Sequence, residues 1–144
     1  MYYEKTHHIN FIYALRIIWT EKNAQTFTEV NIGVASVDDY DFTDPWPGGS
    51  VLFGQTFEFV RNGIFEYQIG GALPSIITGK LALGAGSLKN NIALAIRPWP
   101  LTIGPQGKIG NFSFSFEVGN NNTASFDAGY IATVGYRFQL GRKK

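Results

Sequence analysis

The chain contains two histidines, His7 and His8, which lie side by side near its start. Histidine is the usual general base for a serine nucleophile, and such a site also needs a carboxylate that orients the imidazole ring. No His-x-Ser sequence occurs, so only the fold could bring these groups together. We therefore predict no catalytic residues and interpret both histidines as ordinary interfacial side chains.

The run from Asp38 to Asp44 (DDYDFTD) is the one acidic cluster of the sequence. Oxygen-rich loops bind Ca²⁺, but this run lacks the glycine at the sixth position and the closing glutamate of a calcium loop. We interpret it as a solvated loop, and we predict no metal site and no cofactor. With Pro45–Gly49 it makes the longest connector, Asp38–Gly49, where a protein or ligand partner would bind.

Turn signals divide the chain into the segments that carry its other charged residues. Arg61-Asn62-Gly63 is the strongest, since Asn-Gly tolerates the positive φ of a tight hairpin, and Gly86–Asn91, Gly104–Gly107 and Gly119–Thr123 are further predicted turns. The strands predicted between the turns span 7–20, 25–37, 50–60, 64–73, 76–85, 91–103, 108–118 and 126–140. Eight is an even number, as bacterial membrane barrels require.

Every predicted strand has one bulky apolar face, while its other face mixes small residues with charged or amide ones. In 25–37, for example, Val30 and Ile32 alternate with Glu29 and Asn31. The polar faces carry few charges for a soluble surface, whereas they suit the narrow interior of an eight-stranded barrel. The pattern predicts an all-β fold, an eight-stranded antiparallel up-and-down transmembrane β-barrel. A soluble lipid- or small-ligand-binding barrel of the lipocalin type, with the apolar faces inward, is the alternative.

Charged residues on the polar faces are balanced in sign. A closed interior requires such balance, because an unpaired buried charge is costly. The predicted interior network consists of Arg16, Glu29, Glu58, Glu66, Lys80, Arg97, Glu117 and Arg137. We expect a plugged barrel rather than an open diffusion pore.

Aromatic residues are expected at the two membrane interfaces, where their amphipathic rings are favoured. The candidates are Trp19, Trp46, Trp99, Tyr136 and Phe138. Trp99 stands between two prolines in Arg97-Pro98-Trp99-Pro100. Because proline cannot donate to a sheet ladder, this segment predicts a bulge, a strand end or a bend near the rim.

Composition limits the remaining possibilities. The 144 residues fit a single domain spanning 1–144, and 44% are hydrophobic. A net charge of +1 does not indicate the strongly basic surface that nucleic-acid binding requires. The absence of cysteine excludes thiol catalysis and disulfides. No run approaches the roughly 18 consecutive apolar residues of a membrane helix.

The final predicted strand resembles a known family. Val134-Gly135-Tyr136-Arg137-Phe138 is similar to the closing strand of small bacterial outer-membrane β-barrels of the OmpX/OmpA kind, although Gln139–Lys144 follow the aromatic residue that ends the strand there. The resemblance implies a lipid bilayer as partner, an outer-membrane location and recognition by the barrel-assembly machinery. Met1–Lys5 do not read as a secretory leader, so we expect that a leader has been removed.

These observations predict a small outer-membrane barrel with a structural, adhesion or interaction role. Two alternatives of other classes remain open. One is the soluble ligand-binding barrel, and the other is a barrel enzyme, an acyl hydrolase or transferase acting on membrane lipids through His7 or His8. No nucleic-acid partner is expected.

Overall fold

A computed structural model describes residues 21–37, 45–119 and 128–143. These residues form eight strands: β1 (Glu21–Val37), β2 (Trp46–Phe59), β3 (Gly63–Leu73), β4 (Ile76–Gly86), β5 (Asn90–Pro98), β6 (Leu101–Ile109), β7 (Phe112–Gly119) and β8 (Ala128–Lys143). Each strand pairs antiparallel with the next, and β8 pairs with β1, so the sheet closes. The predicted eight-stranded antiparallel up-and-down barrel is confirmed. Within the described ranges, no helix is long and apolar enough to cross a membrane.

The strand count agrees with the prediction, but the strands are not all the predicted ones. The predicted strand at 7–20 lies outside the described residues. The segment 91–118 holds three strands instead of two, because the chain turns at Trp99-Pro100. The predicted strand 91–103 is therefore wrong, whereas the prolines around Trp99 do mark a strand end.

The turn predicted at Gly104–Gly107 is also wrong, since these residues lie inside β6. Pro105 lies opposite Leu94 of β5, so the strand continues on that side. On the side of β7, pairing skips Gly104 and Pro105 and resumes in the same register. Pro105 thus interrupts one ladder without ending the strand. The actual turn follows at Gly110, whose φ is +60°.

The hairpin predicted at Arg61-Asn62-Gly63 is present, but its two positive φ angles fall on Arg61 and Asn62 and not on the Asn62-Gly63 pair. Arg61 has a φ of 71° and Asn62 a φ of 60°, whereas Gly63 has an extended φ of −69°. Two consecutive residues with positive φ form the turn that matches the twist of the flanking strands. Arginine therefore occupies a conformation that glycine or asparagine adopts more readily.

The connector predicted at Asp38–Gly49 is shorter in the structure. Trp46–Gly49 belong to β2, with Gly49 opposite Ile32 of β1. Residues 38–44 lie outside the described part of the chain. Gly48 and Gly49 do not end the strand, because β1 pairs with β2 along this segment.

The two ends of the barrel differ. One end, termed the turn end, contains the start of β1 and the end of β8. It also contains the short connections 60–62, 87–89 and 110–111. The opposite end, termed the loop end, has tight turns at 74–75 and 99–100, and two longer connectors leave β1 and β7 there. Short turns at one end and longer loops at the other are typical of bacterial membrane barrels.

Most bulky apolar side chains point outward and most polar ones inward, as predicted, whereas Phe27, Leu52 and Ile64 are buried on the inner face, each 1% exposed. On β1, Ile32 is 71% exposed, whereas the neighbouring Asn31 is 4% exposed. Large apolar side chains are exposed on all eight strands. A soluble barrel with its apolar faces inward is therefore not the arrangement of the described residues.

Candidate functional site

Arg137 joins three strands inside the barrel. From β8, its Nη1 and Nη2 donate to Oε2 and Oε1 of Glu66 on β3, both at 2.6 Å. Its Nε donates to Glu29 on β1. All three side chains are at most 2% exposed. These residues lie 71 and 108 positions from Arg137 in the sequence, so only the closed sheet brings them together.

Glu66 is also surrounded by neutral donors. Thr56 Oγ1 donates to its Oε2 at 2.6 Å, and the amides of Gln68 and Gln106 donate to its Oε1 at 2.6 and 2.8 Å. The donors come from β2, β3 and β6. A buried carboxylate is tolerated when its lone pairs are satisfied in this way.

A second cluster lies toward the loop end, centred on Glu117 of β7. Arg97 Nε and Nη2 donate to its two oxygens at 2.9 and 3.2 Å, and Lys80 Nζ lies 3.5 Å from Oε1. Thr102 Oγ1 donates to Oε2 at 2.7 Å, and Arg97 Nη1 reaches Thr78 Oγ1 at 2.6 Å. One glutamate thus holds two cations.

The sequence prediction missed Lys108 as an interior cation. Lys108 is 2% exposed and donates to the carbonyl of Leu88, and its Nζ lies 5.9 Å from the ring centre of Phe27. The guanidinium of Arg137 lies 4.1 Å from the same ring, so two cations face one buried aromatic. Lys108 was overlooked because Gly104–Gly107 was interpreted as a turn; the alternation Thr102, Gly104, Gln106, Lys108 places it inside.

Seven of the eight residues of the predicted interior network point inward. Glu29, Glu66 and Arg137 form the first cluster, and Lys80, Arg97 and Glu117 form the second. Glu58 is 9% exposed and accepts from Asn23 at 3.5 Å, but it joins neither cluster. Arg16 lies outside the described residues.

The buried charges of the described residues sum to zero. The acids are Glu29, Glu58, Glu66 and Glu117, and the bases are Lys80, Arg97, Lys108 and Arg137, so four negative charges meet four positive ones. Removing one partner would leave an uncompensated charge in the interior, which is strongly destabilising. Chemically, this interior is suited to holding the barrel closed and rigid.

A cavity of about 60 Å³ lies above the second cluster at the loop end. Small and apolar residues of β1, β2, β3 and β8 form its wall, and Arg97 contributes to its lining. Of the predicted connector Asp38–Gly49, only Gly48 and Gly49 line this cavity among the described residues.

Exposed aromatic residues lie near both ends of the apolar outer surface. Near the turn end, Tyr136 packs edge-on against Phe112 and Phe138, with ring centres 5.3 and 5.0 Å apart. At the loop end, Trp46 is 63% and Trp99 40% exposed. Trp19 lies outside the described residues. The other four predicted interfacial aromatics therefore occupy two rims of the barrel.

The catalytic alternative rests on His7 and His8, which lie outside the described residues. Among residues 21–37, 45–119 and 128–143, no group of three metal-ligating side chains could hold a metal ion. Comparisons of the chain with protein-family models, curated proteins and solved structures find no match. The candidate sites among the described residues are the ion-paired interior, the loop-end cavity and the exposed apolar side chains of the outer surface, termed the apolar outer belt.

Proposed function

We propose that this protein is a small transmembrane β-barrel of the bacterial outer-membrane type, with a structural, adhesion or interaction role. The observation that carries the proposal is the polarity of the barrel. Its interior holds buried ion pairs, while large apolar side chains are exposed on every strand. Monomeric soluble proteins rarely expose continuous apolar patches of more than a few hundred Å².

A lipid bilayer is an environment in which an apolar outer surface and a polar interior are both favourable. A closed sheet satisfies its backbone hydrogen bonds internally, which a bilayer core requires. The aromatic rims around Tyr136 and around Trp46 match the positions of interfacial girdles at the two ends of an apolar band. The lipid bilayer is thus the first partner that we propose.

The filled interior supports an interaction role over a transport role. Arg137 spans from β8 to β3 across the inside of the barrel. Its partner Glu66 accepts hydrogen bonds from four residues in all. A general diffusion channel needs an open lumen, which eight strands do not provide. We propose that the loop end faces outward and that the segment from Asp38 to Gly49 meets a protein or ligand there, because long loops carry binding functions.

Refolding tests the membrane proposal directly. The full chain is diluted from denaturant into detergent micelles and, in parallel, into plain buffer, and folding is followed by circular dichroism and by heat-modifiable migration in gels. We expect a β-form with altered migration in micelles and aggregation in buffer. A monomeric folded β-form in buffer, with the same stability as in micelles, would overturn the proposal.

Location is tested separately. The chain is expressed behind a cleavable export leader in a Gram-negative host, and the membranes are separated by density. Recovery of the heat-modifiable form in the outer-membrane fraction is expected. Recovery of folded protein from the soluble periplasmic fraction would contradict the outer-membrane location.

A further inference from the structure

Charge is distributed unevenly between the two ends of the barrel. Eight charged side chains of the described residues are buried inside and balance one another. The other charged residues of the described ranges all lie at the turn end, in the terminal parts of β1 and β8 or in the connections 60–62 and 87–89. They are the bases Lys22, Arg61, Lys89, Arg142 and Lys143 and the acid Glu21. Five bases against one acid give the turn end a net charge of +4.

The loop end has no such excess of bases. Among the described residues, no exposed charged side chain lies there. The sequence segment 38–44, which connects β1 to β2 at that end, contains four aspartates and no base. The excess positive charge is therefore a property of the turn end and not of the whole chain, whose net charge is +1.

Arg61 and Lys89 are available to an anionic partner at the turn end. Both side chains are exposed, and neither forms an ion pair within the described part of the chain. Arg61 belongs to the connection between β2 and β3, and Lys89 belongs to the connection between β4 and β5, so the two cations lie on adjacent hairpins of one rim. A cation without an acidic partner on the protein can pair with an anion from outside.

Both cations lie just beyond the apolar outer belt. The rings of Phe57 and Phe65 stack on the outer surface with their centres 6.1 Å apart, and Arg61 is four residues from each of them along the chain. Lys89 is three residues before Ile92, which is 68% exposed. In a barrel that spans a bilayer, this order places the two cations where the apolar belt ends and the headgroups begin.

We infer that the turn end binds the headgroups of anionic phospholipids. Their phosphates accept hydrogen bonds from Arg61 and Lys89, and their acyl chains lie along the apolar outer belt. A zwitterionic headgroup carries the same phosphate, but its own cation cancels the charge, so a net charge of +4 favours lipids that are negative overall. The inference rests on the proposed membrane role and deepens it, because it assigns the chemistry of the lipid at one end of the barrel.

A lipid titration tests the headgroup preference. The ¹⁵N-labelled full chain is refolded in neutral maltoside micelles at low salt, and phosphatidylglycerol or phosphatidylcholine with the same acyl chains is added. Binding is read from the amide resonances of Asn62 and Lys89 at the turn end, with Gly48 and Gly49 at the loop end as the reference. We expect phosphatidylglycerol to saturate the turn-end shifts at a concentration at least about fivefold lower than phosphatidylcholine. Salt at about 1 M, where the screening length is about 3 Å, should remove the difference.

Two double variants test the role of the exposed cations. Arg61→Gln/Lys89→Gln removes both charges and should lower the affinity of the turn end for phosphatidylglycerol at least about fivefold, since each basic side chain near an anionic surface contributes about that factor. Arg61→Lys/Lys89→Arg is the matched control, because it keeps both charges at the same positions and should retain the preference. Circular dichroism and gel migration establish that each variant is folded.

Inorganic phosphate, added at the same concentration as the lipid, distinguishes a lipid-binding surface from a site for free anions. It should leave the turn-end amides unshifted, because it has no acyl chain to pack on the apolar outer belt. The inference is overturned if the folded protein binds both lipids equally, if Arg61→Gln/Lys89→Gln retains the preference, or if inorganic phosphate shifts the same amides with the same affinity. Absence of the folded β-form in micelles before any lipid is added is a different outcome, which would overturn the membrane role itself and this inference with it.

Discussion

Arg137 of β8 and Glu66 of β3 form a two-bond ion pair inside the barrel, with Nη1–Oε2 and Nη2–Oε1 both at 2.6 Å. β1 and β2 separate these strands in the sheet, so the pair joins them across the interior and not along a ladder. The planar guanidinium matches the carboxylate in two parallel bonds, an arrangement that lysine cannot reproduce.

Replacing Arg137 should strongly destabilise the barrel. Arg137→Met leaves Glu29 and Glu66 buried without their cation, and breaking a buried pair in this way costs about 3–5 kcal/mol of unfolding free energy. The double variant Arg137→Met/Glu66→Gln should recover part of that loss, because one unpaired charge is gone. Urea unfolding in micelles, followed by tryptophan fluorescence, measures both. A cost below about 1 kcal/mol for the single variant would contradict the role of the pair.

An arginine on the outer face should be costly only where the face lies deep in lipid. Leu94, at the centre of β5, is 53% exposed, and Ile109, the last residue of β6, is 68% exposed. In a bilayer, Leu94→Arg should lower the unfolding free energy by about 2–4 kcal/mol, and Ile109→Arg should lower it by about 0–1 kcal/mol. Unfolding in lipid vesicles gives the comparison. Equal, small effects at both positions would indicate that water surrounds the belt.

Two glycines of β6 should respond oppositely to an added methyl group. A Cβ at Gly104 would lie 2.7 Å from Glu117 Cα and 2.8 Å from the carbonyl carbon of Phe116, whereas a Cβ at Gly107 would meet nothing within 4 Å. Gly104→Ala should therefore cost about 1–3 kcal/mol. Gly107→Ala should be neutral or stabilise by up to about 1 kcal/mol. Chemical unfolding of the two variants distinguishes these outcomes, and a larger loss at Gly107 would contradict the packing described.

The hairpin between β2 and β3 should become more stable when Arg61 is replaced by asparagine. Arg61 is exposed and has a φ of 71°, a region where an ordinary L-residue is strained by about 1–2 kcal/mol and asparagine by less. Arg61→Asn should add about 0.5–1 kcal/mol to the unfolding free energy, and Arg61→Val should lower it. Thermal unfolding in micelles checks the order Asn above Arg above Val. The reverse order would mean that the arginine side chain makes a stabilising contact.

Local alternation was sufficient to predict which side chains face inward. Glu29 and Asn31 are buried while Val30 and Ile32 are exposed, because successive side chains of any strand point to opposite faces. The same alternation placed Glu66, Arg97, Glu117 and Arg137 on one side of the sheet before any pairing was known. The barrel class followed from these faces. For the described residues, however, the turn signals predicted seven strands where the structure has eight, because the turn at Trp99-Pro100 was placed inside one strand.

Strand boundaries were less accessible from the sequence. Gly104 and Pro105 have the composition of a turn, yet they continue β6 because β5 offers a paired edge beside them. Because of this error, Lys108 was not predicted to point into the barrel. Its inward position depends on the true start of β6 at Leu101. Residue type sets a local preference, and pairing with a neighbouring strand outweighs it.

By itself, the sequence determined the alternation of faces, the antiparallel barrel class and the balance of charges on the polar side. Only the tertiary structure decided that Arg137 pairs with Glu29 and Glu66, that Arg97 and Lys80 share Glu117, and that a cavity remains above them. The reason is physical. The period of a strand is a property of neighbouring residues, whereas the partners inside a closed barrel depend on the register of all eight strands together.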